Sequence, residues 1–304
     1  ASGDRGALAR TLSLVESSET VTDSLMNKLL SSQRHSFVIG ITGAPGAGKS
    51  TLVGALIRSI RESGERVAVI AVDPSSPFSQ GALLGDRVRM TSGDRDHGVF
   101  IRSMASRGEQ GGVAAATYNA ALTLEACDWP IVIIETVGAG QVEVNIAAMA
   151  DATVVVVNPG WGDEIQAHKA GLMEVGDVFA INKADRDGTA DTRRDLETLL
   201  AQRPSTATAT AIVETIATDD RGVGELLDKI FEHRQEYDDD RLEQRRIRQT
   251  KQILQLAIEQ EFRHRAEKLL ASRSFNEAIT KVVDNEQSIT AVVDDLLNDR
   301  MRNA

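Results

Sequence analysis

From Phe37 to about residue 235, short apolar runs alternate with longer segments whose apolar positions recur every three or four residues. The short runs predict strands at 37–42, 67–72, 99–102, 131–135, 153–157, 178–182 and, less clearly marked, 208–213. The four valines Val154 to Val157 are the most strand-like run, and continuous apolar strands of this kind suit a sheet buried on both faces. The intervening segments are amphipathic. After the first strand, Leu52, Val53, Leu56, Ile57 and Ile60 share one helical face, and Gly64 marks where that helix stops. Strand and helix in strict alternation predict an α/β fold, a mostly parallel central sheet flanked by helices.

The flanks follow other rules. In residues 1–36, Leu8, Leu12 and Val15 share one helical face and Leu25, Met26, Leu29 and Leu30 another, which reads as an N-terminal helical arm. In residues 236–304 only helical spacing remains. Asp238, Asp239 and Asp240 are placed to cap a helix carrying Ile247, Leu254, Ile258, Phe262, Ala266 and Leu269. Further sets are Phe275, Ile279 and Val282, then Ile289, Val292, Val293, Leu296 and Leu297. Such stripes must be covered, either by the rest of the chain or by a second copy. The expected organisation is thus an arm (1–36), an α/β domain (37–235) and a C-terminal helical extension (236–304).

Composition narrows the chemistry. A net charge of −11 argues against general nucleic-acid binding. One cysteine, Cys127, excludes an internal disulfide and reads as a buried structural thiol; five scattered histidines offer no metal-ligand spacing. No apolar run reaches the length of a membrane span, and no signal peptide is visible. A reducing compartment fits: bacterial cytoplasm, or a mitochondrial matrix if a leader has been removed.

The chemistry lies at the strand ends. Gly43-Ala44-Pro45-Gly46-Ala47-Gly48-Lys49-Ser50, followed by Thr51, fits G-x-x-x-x-G-K-[ST] at every fixed position. It stands between a strand and a helix, where backbone N–H groups and a helix N-terminus meet phosphate charge. Lys49 would reach the β- and γ-phosphates and the Ser50 hydroxyl would ligate Mg²⁺. Asn182-Lys183-Ala184-Asp185 follows the sixth strand. Asp185 can accept both N1–H and N2–H of guanine, a donor pair adenine lacks, with Asn182 supporting the loop and the Lys183 stem over the ring. Alone, N-K-x-D also fits a solvated turn; in one domain with the phosphate loop it favours GTP over ATP.

Glu135-Thr136-Val137-Gly138 ends the fourth strand, where P-loop proteins keep an acid for Mg²⁺ and a glycine N–H near the γ-phosphate. Asp73 and Asp86 could approach the same metal or the attacking water, or could equally be a turn-former before Pro74 and a helix N-cap. The glycines and prolines between 74 and 98 suit a switch segment. His168 and Lys169 read as surface residues, and the interrupted basic run Arg241, Arg245, Arg246 and Arg248 as a solvated helix face.

The succession Gly43–Thr51, Val72–Ser76, Leu84-Gly85-Asp86, Arg89-Met90, Gly111–Ala114, Glu135–Gly138, Pro159-Gly160 with Gly162-Asp163-Glu164, and Asn182–Asp185 closely resembles the MeaB/ArgK family of P-loop GTPases. The human methylmalonic aciduria type A protein is a member. The resemblance covers roughly residues 3–230. It implies a GTPase chaperone of adenosylcobalamin-dependent acyl-CoA mutases, such as methylmalonyl-CoA mutase, that gates cofactor loading and protects or reactivates the mutase. It also implies a homodimer built through the C-terminal extension. By that likeness Lys49 and Ser50 bind phosphate and Mg²⁺, Asp73, Asp86 and Glu135 surround the metal, and Asn182, Lys183 and Asp185 read guanine in GTP or GDP. The chain departs from the family at Pro77–Gln80, Val142, Trp161 and Ser288–Ala291, in segments expected to face partners, so a specialised mutase remains open as client. It carries no D-x-H-x-x-G cobalamin signature. The alternatives are a metallochaperone-type maturation GTPase, disfavoured by few Cys and His, and a transport-system protein kinase.

Ala139 stands where Ras-like GTPases carry the glutamine that orients water, and Gln141, two residues on, is a weak substitute. The isolated protein is therefore expected to hydrolyse GTP slowly and to accelerate when a partner completes the site. Single-turnover hydrolysis with and without partner measures this, and fast turnover by the protein alone would contradict it.

Overall fold

The computed structural model describes residues 4–17, 36–73, 96–105, 110–136, 149–160, 175–203, 210–235 and 239–301. Two compact units separate, Ala1–Ile253 and Leu254–Ala304.

In the first unit the apolar runs form a single seven-stranded sheet: β1 (Phe37–Gly43), β2 (Val67–Asp73), β3 (Val99–Ala105), β4 (Ile131–Thr136), β5 (Ala152–Val157), β6 (Val178–Asn182) and β7 (Ala211–Thr215). The order is β3-β2-β4-β1-β5-β6-β7, and every pairing is parallel. Every residue of β4, β5 and β6 is buried, as continuous apolar runs require when helices cover both faces. All seven expected strands are present. The last lies at Ala211–Thr215 rather than 208–213, because pairing with β6 sets its length: Val178 registers with Ala211 and Asn182 with Thr215.

The helices around it are α1 (Arg5–Ser17), α2 (Lys49–Glu62), α3 (Gln110–Ala126), α4 (Thr189–Leu200), α5 (Val223–Gln235) and α6 (Asp239–Leu270). α2 buries Leu52, Val53, Leu56, Ile57 and Ile60 in the core formed with α5 and one sheet face. Ser63 is its C-cap, and Gly64 follows with φ 85°. α1 buries Leu8, Leu12 and Val15 and packs on α3. Its Arg5 donates to the Val99 carbonyl at 2.5 Å and its Glu16 pairs with Arg102 at 2.7 Å, so it is tied to β3. The second face of the arm, Leu25 to Leu30, lies outside the described residues. Cys127, just beyond α3, is half-buried rather than buried, and desolvation raises its thiol pKa.

The N-terminal edge of the sheet is held by carboxylates. Asp151 Oδ2 accepts from Val38 N and Asp177 Oδ2 from Thr153 N, each at 2.8 Å, at the starts of β1 and β5. Asp177 also meets Arg245 of α6 at 2.9 Å and His233 of α5 at 3.3 Å. Arg245 therefore belongs to an inward anchor, not to the solvated face its neighbours suggested. Gln249 continues the anchor by donating to the Ala150 carbonyl at 2.6 Å.

In the second unit α6 continues, followed by α7 (Arg273–Val283), capped by Ser272 accepting from Phe275 N, and α8 (Ile289–Met301). Ala278 and Val292 are buried, while Leu254, Ile258, Phe262, Ile279, Val283, Ile289, Val293 and Leu297 are exposed.

Burial alone would raise the Asp177 carboxyl, but the His233 hydrogen bond and the Arg245 charge outweigh it and hold the pKa at about 2, below the ordinary 3.8. A carboxyl depressed on folding contributes stability that is complete above its unfolded pKa and lost as pH falls through the folded one. The shift corresponds to about 2 kcal/mol at neutral pH. Asp177→Asn is expected to lower unfolding free energy by about that amount at pH 7. It should also flatten the loss of stability between about pH 4 and pH 2. Urea unfolding at several pH values measures both; equal slopes for variant and wild type would overturn the assignment.

Candidate functional site

The C-terminal ends of β1, β2, β4, β6 and β7 lie along one edge of the sheet, where open parallel sheets place ligands. β1 sits at the centre, between β4 and β5, and feeds directly into the glycine-rich loop and α2. Gly43 has φ 134°, and a Cβ there would meet the Val156 carbonyl oxygen at 2.0 Å. Only glycine lets the loop leave β1 so close to β5. Gly48, with φ 89°, meets a second limit: its Cβ would lie 2.5 Å from Asn182 Nδ2.

Three side chains occupy four carbonyls of this loop. Lys49, 6% exposed, donates through Nζ to the carbonyls of Gly43 at 2.6 Å and Ala44 at 3.0 Å. Lys183 Nζ donates to Gly46 O at 2.6 Å, and Asn182 Nδ2 to Ala47 O at 2.9 Å. Ala47 N donates within the loop, to the Ala44 carbonyl at 3.2 Å, and the remaining loop N–H groups are the kind of donors a strand-to-helix turn offers an anion. Ser50, one residue into α2, donates its hydroxyl to Glu135 Oε1 at 2.6 Å. Glu135 is fully buried near the end of β4.

The remaining sequence-derived residues distribute as follows. Asp73 ends β2; Ala71 registers with Glu135, so the Asp73 backbone reaches the same sheet edge. Asp86, Gly138, Ala139, Gln141, His168 and Lys169 lie outside the described residues. Asn182 is 2% exposed and ends β6. Lys183 adopts φ 59°, a left-handed turn stabilised where Ala184 N donates to the Thr215 carbonyl at 3.1 Å. Asp185 is exposed at the rim. Pro45 and Gly46 are exposed, whereas Ala47 is buried beneath the loop.

A pocket of about 180 Å³ joins the two motifs. Gly48 and Thr51 line it from the phosphate-loop side, Asn182, Lys183, Asp185 and Arg186 from the loop after β6, and Ile216, Ala217 and Thr218 from the loop after β7. The last three were not singled out from sequence. The signal existed, since they follow an apolar run, but a strand placed at 208–213 ends too early to bring them to the sheet edge. Among the described residues, no three His, Cys, Asp or Glu side chains gather as a metal cluster.

Comparison with known proteins agrees with this arrangement. Residues 8–270 match the family described as methylmalonyl Co-A mutase-associated GTPase MeaB. A protein of Pyrococcus abyssi is 41% identical over 308 residues, covering 98% of this chain and 93% of the relative. The mouse methylmalonic aciduria type A homolog, a mitochondrial protein, is 39% identical over 206 residues, 63% of this chain and 50% of its own. Among solved structures, an LAO/AO transport system kinase superposes with a TM-score of 0.70 at 28% identity, covering 98% of this chain and 94% of that one. Fold, phosphate loop and relatives converge: this chain belongs to the MeaB family of P-loop GTPases.

Proposed function

We propose that this chain binds GTP and GDP with Mg²⁺ at the β1 edge and acts as a chaperone of an adenosylcobalamin-dependent acyl-CoA mutase, methylmalonyl-CoA mutase or a relative. In this role it gates cofactor loading and protects or reactivates the mutase. The observation that carries the nucleotide part is the pocket shared by Gly48, Thr51, Asn182, Lys183 and Asp185. At about 180 Å³ it suits a base more than a whole ligand, for which pockets of at least about 300 Å³ are usual. The guanine would sit there, with the phosphates running along the loop toward Lys49 and Ser50. The mutase part rests on the family match and on the motif succession of the sequence.

The donor set fits Mg²⁺. The Ser50 hydroxyl and the buried Glu135 carboxylate are hard oxygen ligands, and Mg²⁺ takes few protein ligands beside phosphate oxygens and waters. Asp73 and Asp86 complete the acidic set in this reading. Bound there, the ion would neutralise charge on the phosphate oxygens. Lys49 would exchange the Gly43 and Ala44 carbonyls for β- and γ-phosphate oxygens, and the Gly138 N–H would face the γ-phosphate. Residues 37–235 are the nucleotide-binding part. Residues 236–304 carry the dimer contacts, where Leu254, Ile258 and Phe262 expose a stripe at spacings of four residues. No described helix is long and apolar enough to cross a membrane. The reading places the chain in the cytoplasm, or in a mitochondrial matrix after loss of a leader.

Asp185→Asn exchanges one of two acceptor oxygens for an amide donor. GTP affinity should fall by about 1–3 kcal/mol, the cost of leaving buried polar groups unmatched. Calorimetry with magnesium measures it, and unchanged affinity would remove Asp185 as guanine reader. For the partner, the protein is mixed with candidate mutases with and without a non-hydrolysable GTP analogue and the mixture separated by size. A nucleotide-dependent complex is expected. Absence of a complex with every candidate would sink the chaperone reading, and a monomeric free protein would sink the dimer.

A further inference from the structure

The hydroxyl of Thr215 is buried at the end of β7, outside the lining of the pocket, and makes its side-chain hydrogen bond to Asn182 Oδ1 at 3.2 Å. Ala217 N donates to the same oxygen at 3.2 Å. The other end of the Asn182 amide donates to Ala47 O in the phosphate loop at 2.9 Å. An asparagine amide carries its acceptor on one end and its donors on the other. Turned over, it would set NH2 against the Ala217 N–H and its oxygen against the Ala47 carbonyl. The two donors on Oδ1 therefore choose the orientation that reaches the phosphate loop. Asn182 is 2% exposed and Thr215 fully buried, so water does not replace a lost partner freely. The Thr215 carbonyl adds a second tie by accepting from Ala184 N at 3.1 Å, which holds the turn carrying Lys183, itself bonded to Gly46 O.

We propose that Thr215 is a positioning residue for phosphate binding: its hydroxyl fixes the Asn182 amide, and through it the curvature of the loop around Ala47 and Gly48. Thr215 touches no nucleotide. It supplies order to loop N–H groups whose donors must converge before a phosphate arrives, so its loss weakens GTP and GDP by a similar factor. The inference rests on the phosphate-binding reading of the loop.

The test uses the full chain and two readouts. In nucleotide-free protein, amide hydrogen exchange of peptides spanning 43–50 is compared for wild type, Thr215→Val and Thr215→Ser. Calorimetry with magnesium then gives GTP and GDP affinities. Val removes only the hydroxyl; Ser keeps it. Expected are faster exchange across 43–50 in the Val variant and a loss of at least about fivefold in affinity for both nucleotides, the scale of one buried hydrogen bond. The Ser variant should return to near wild type. If Val does not fold, Thr215→Ala against Ser carries the same comparison. Unchanged exchange and affinity in the Val variant overturn the inference while leaving the nucleotide reading intact. So does a Ser variant as impaired as Val, which would mark a packing role. A wild type that binds neither GTP nor GDP overturns both, and that outcome is separately visible because exchange is read without nucleotide.

Discussion

One amide joins two loops that lie 135 residues apart: Asn182 Nδ2 on the Ala47 carbonyl. Most of the site depends on that span being correct. It requires β6 to end level with the top of β1, with β5 as the only strand between them. It requires Gly48, since a Cβ there would occupy the space of the Asn182 amide. It requires β7 to stop at Thr215, in register with Asn182, so that the next turn supplies Ala217 N. A hydrogen bond contributes about 1 kcal/mol net, yet this one is short-range evidence of long-range order, because each requirement is a separate packing decision.

The loop's polar accounting follows from the same contact. Four of its carbonyls are met by Lys49, Lys183 and Asn182. Burying a lysine such as Lys49 at 6% exposure is costly unless its ammonium is solvated by protein oxygens, and the carbonyls of Gly43 and Ala44 do this. The loop and its lysine thereby stabilise each other before any ligand is present. Glu135, in contrast, sits beneath α2, where the Ser50 hydroxyl reaches it at 2.6 Å.

Much of this was legible in the chain because local rules carried it. The continuous valines of β5, the period of Leu52, Leu56 and Ile60, and the glycines of the loop each record a local constraint. What could not be read was decided by pairing between distant segments. The end of β7 is fixed by β6, so the lining by Ile216, Ala217 and Thr218 stayed hidden. Arg245 looked like one more surface charge in a basic run, since nothing adjacent to it announces that Asp177 waits at the start of β6. Lys183 was expected over a base; its bond to Gly46 O depends on a left-handed turn that sequence spacing does not encode.

The tie between α1 and β3 has a consequence for how the molecule is handled. Among the described strands β3 is the outermost on its side, and the Arg5 guanidinium donates to its Val99 carbonyl. An unpaired strand rim templates pairing with foreign chains. A recombinant form trimmed to begin after Ser17 would free the Val99 carbonyl and uncover the apolar surface beneath Leu8, Leu12 and Val15 together. Retaining the helix therefore keeps both covered.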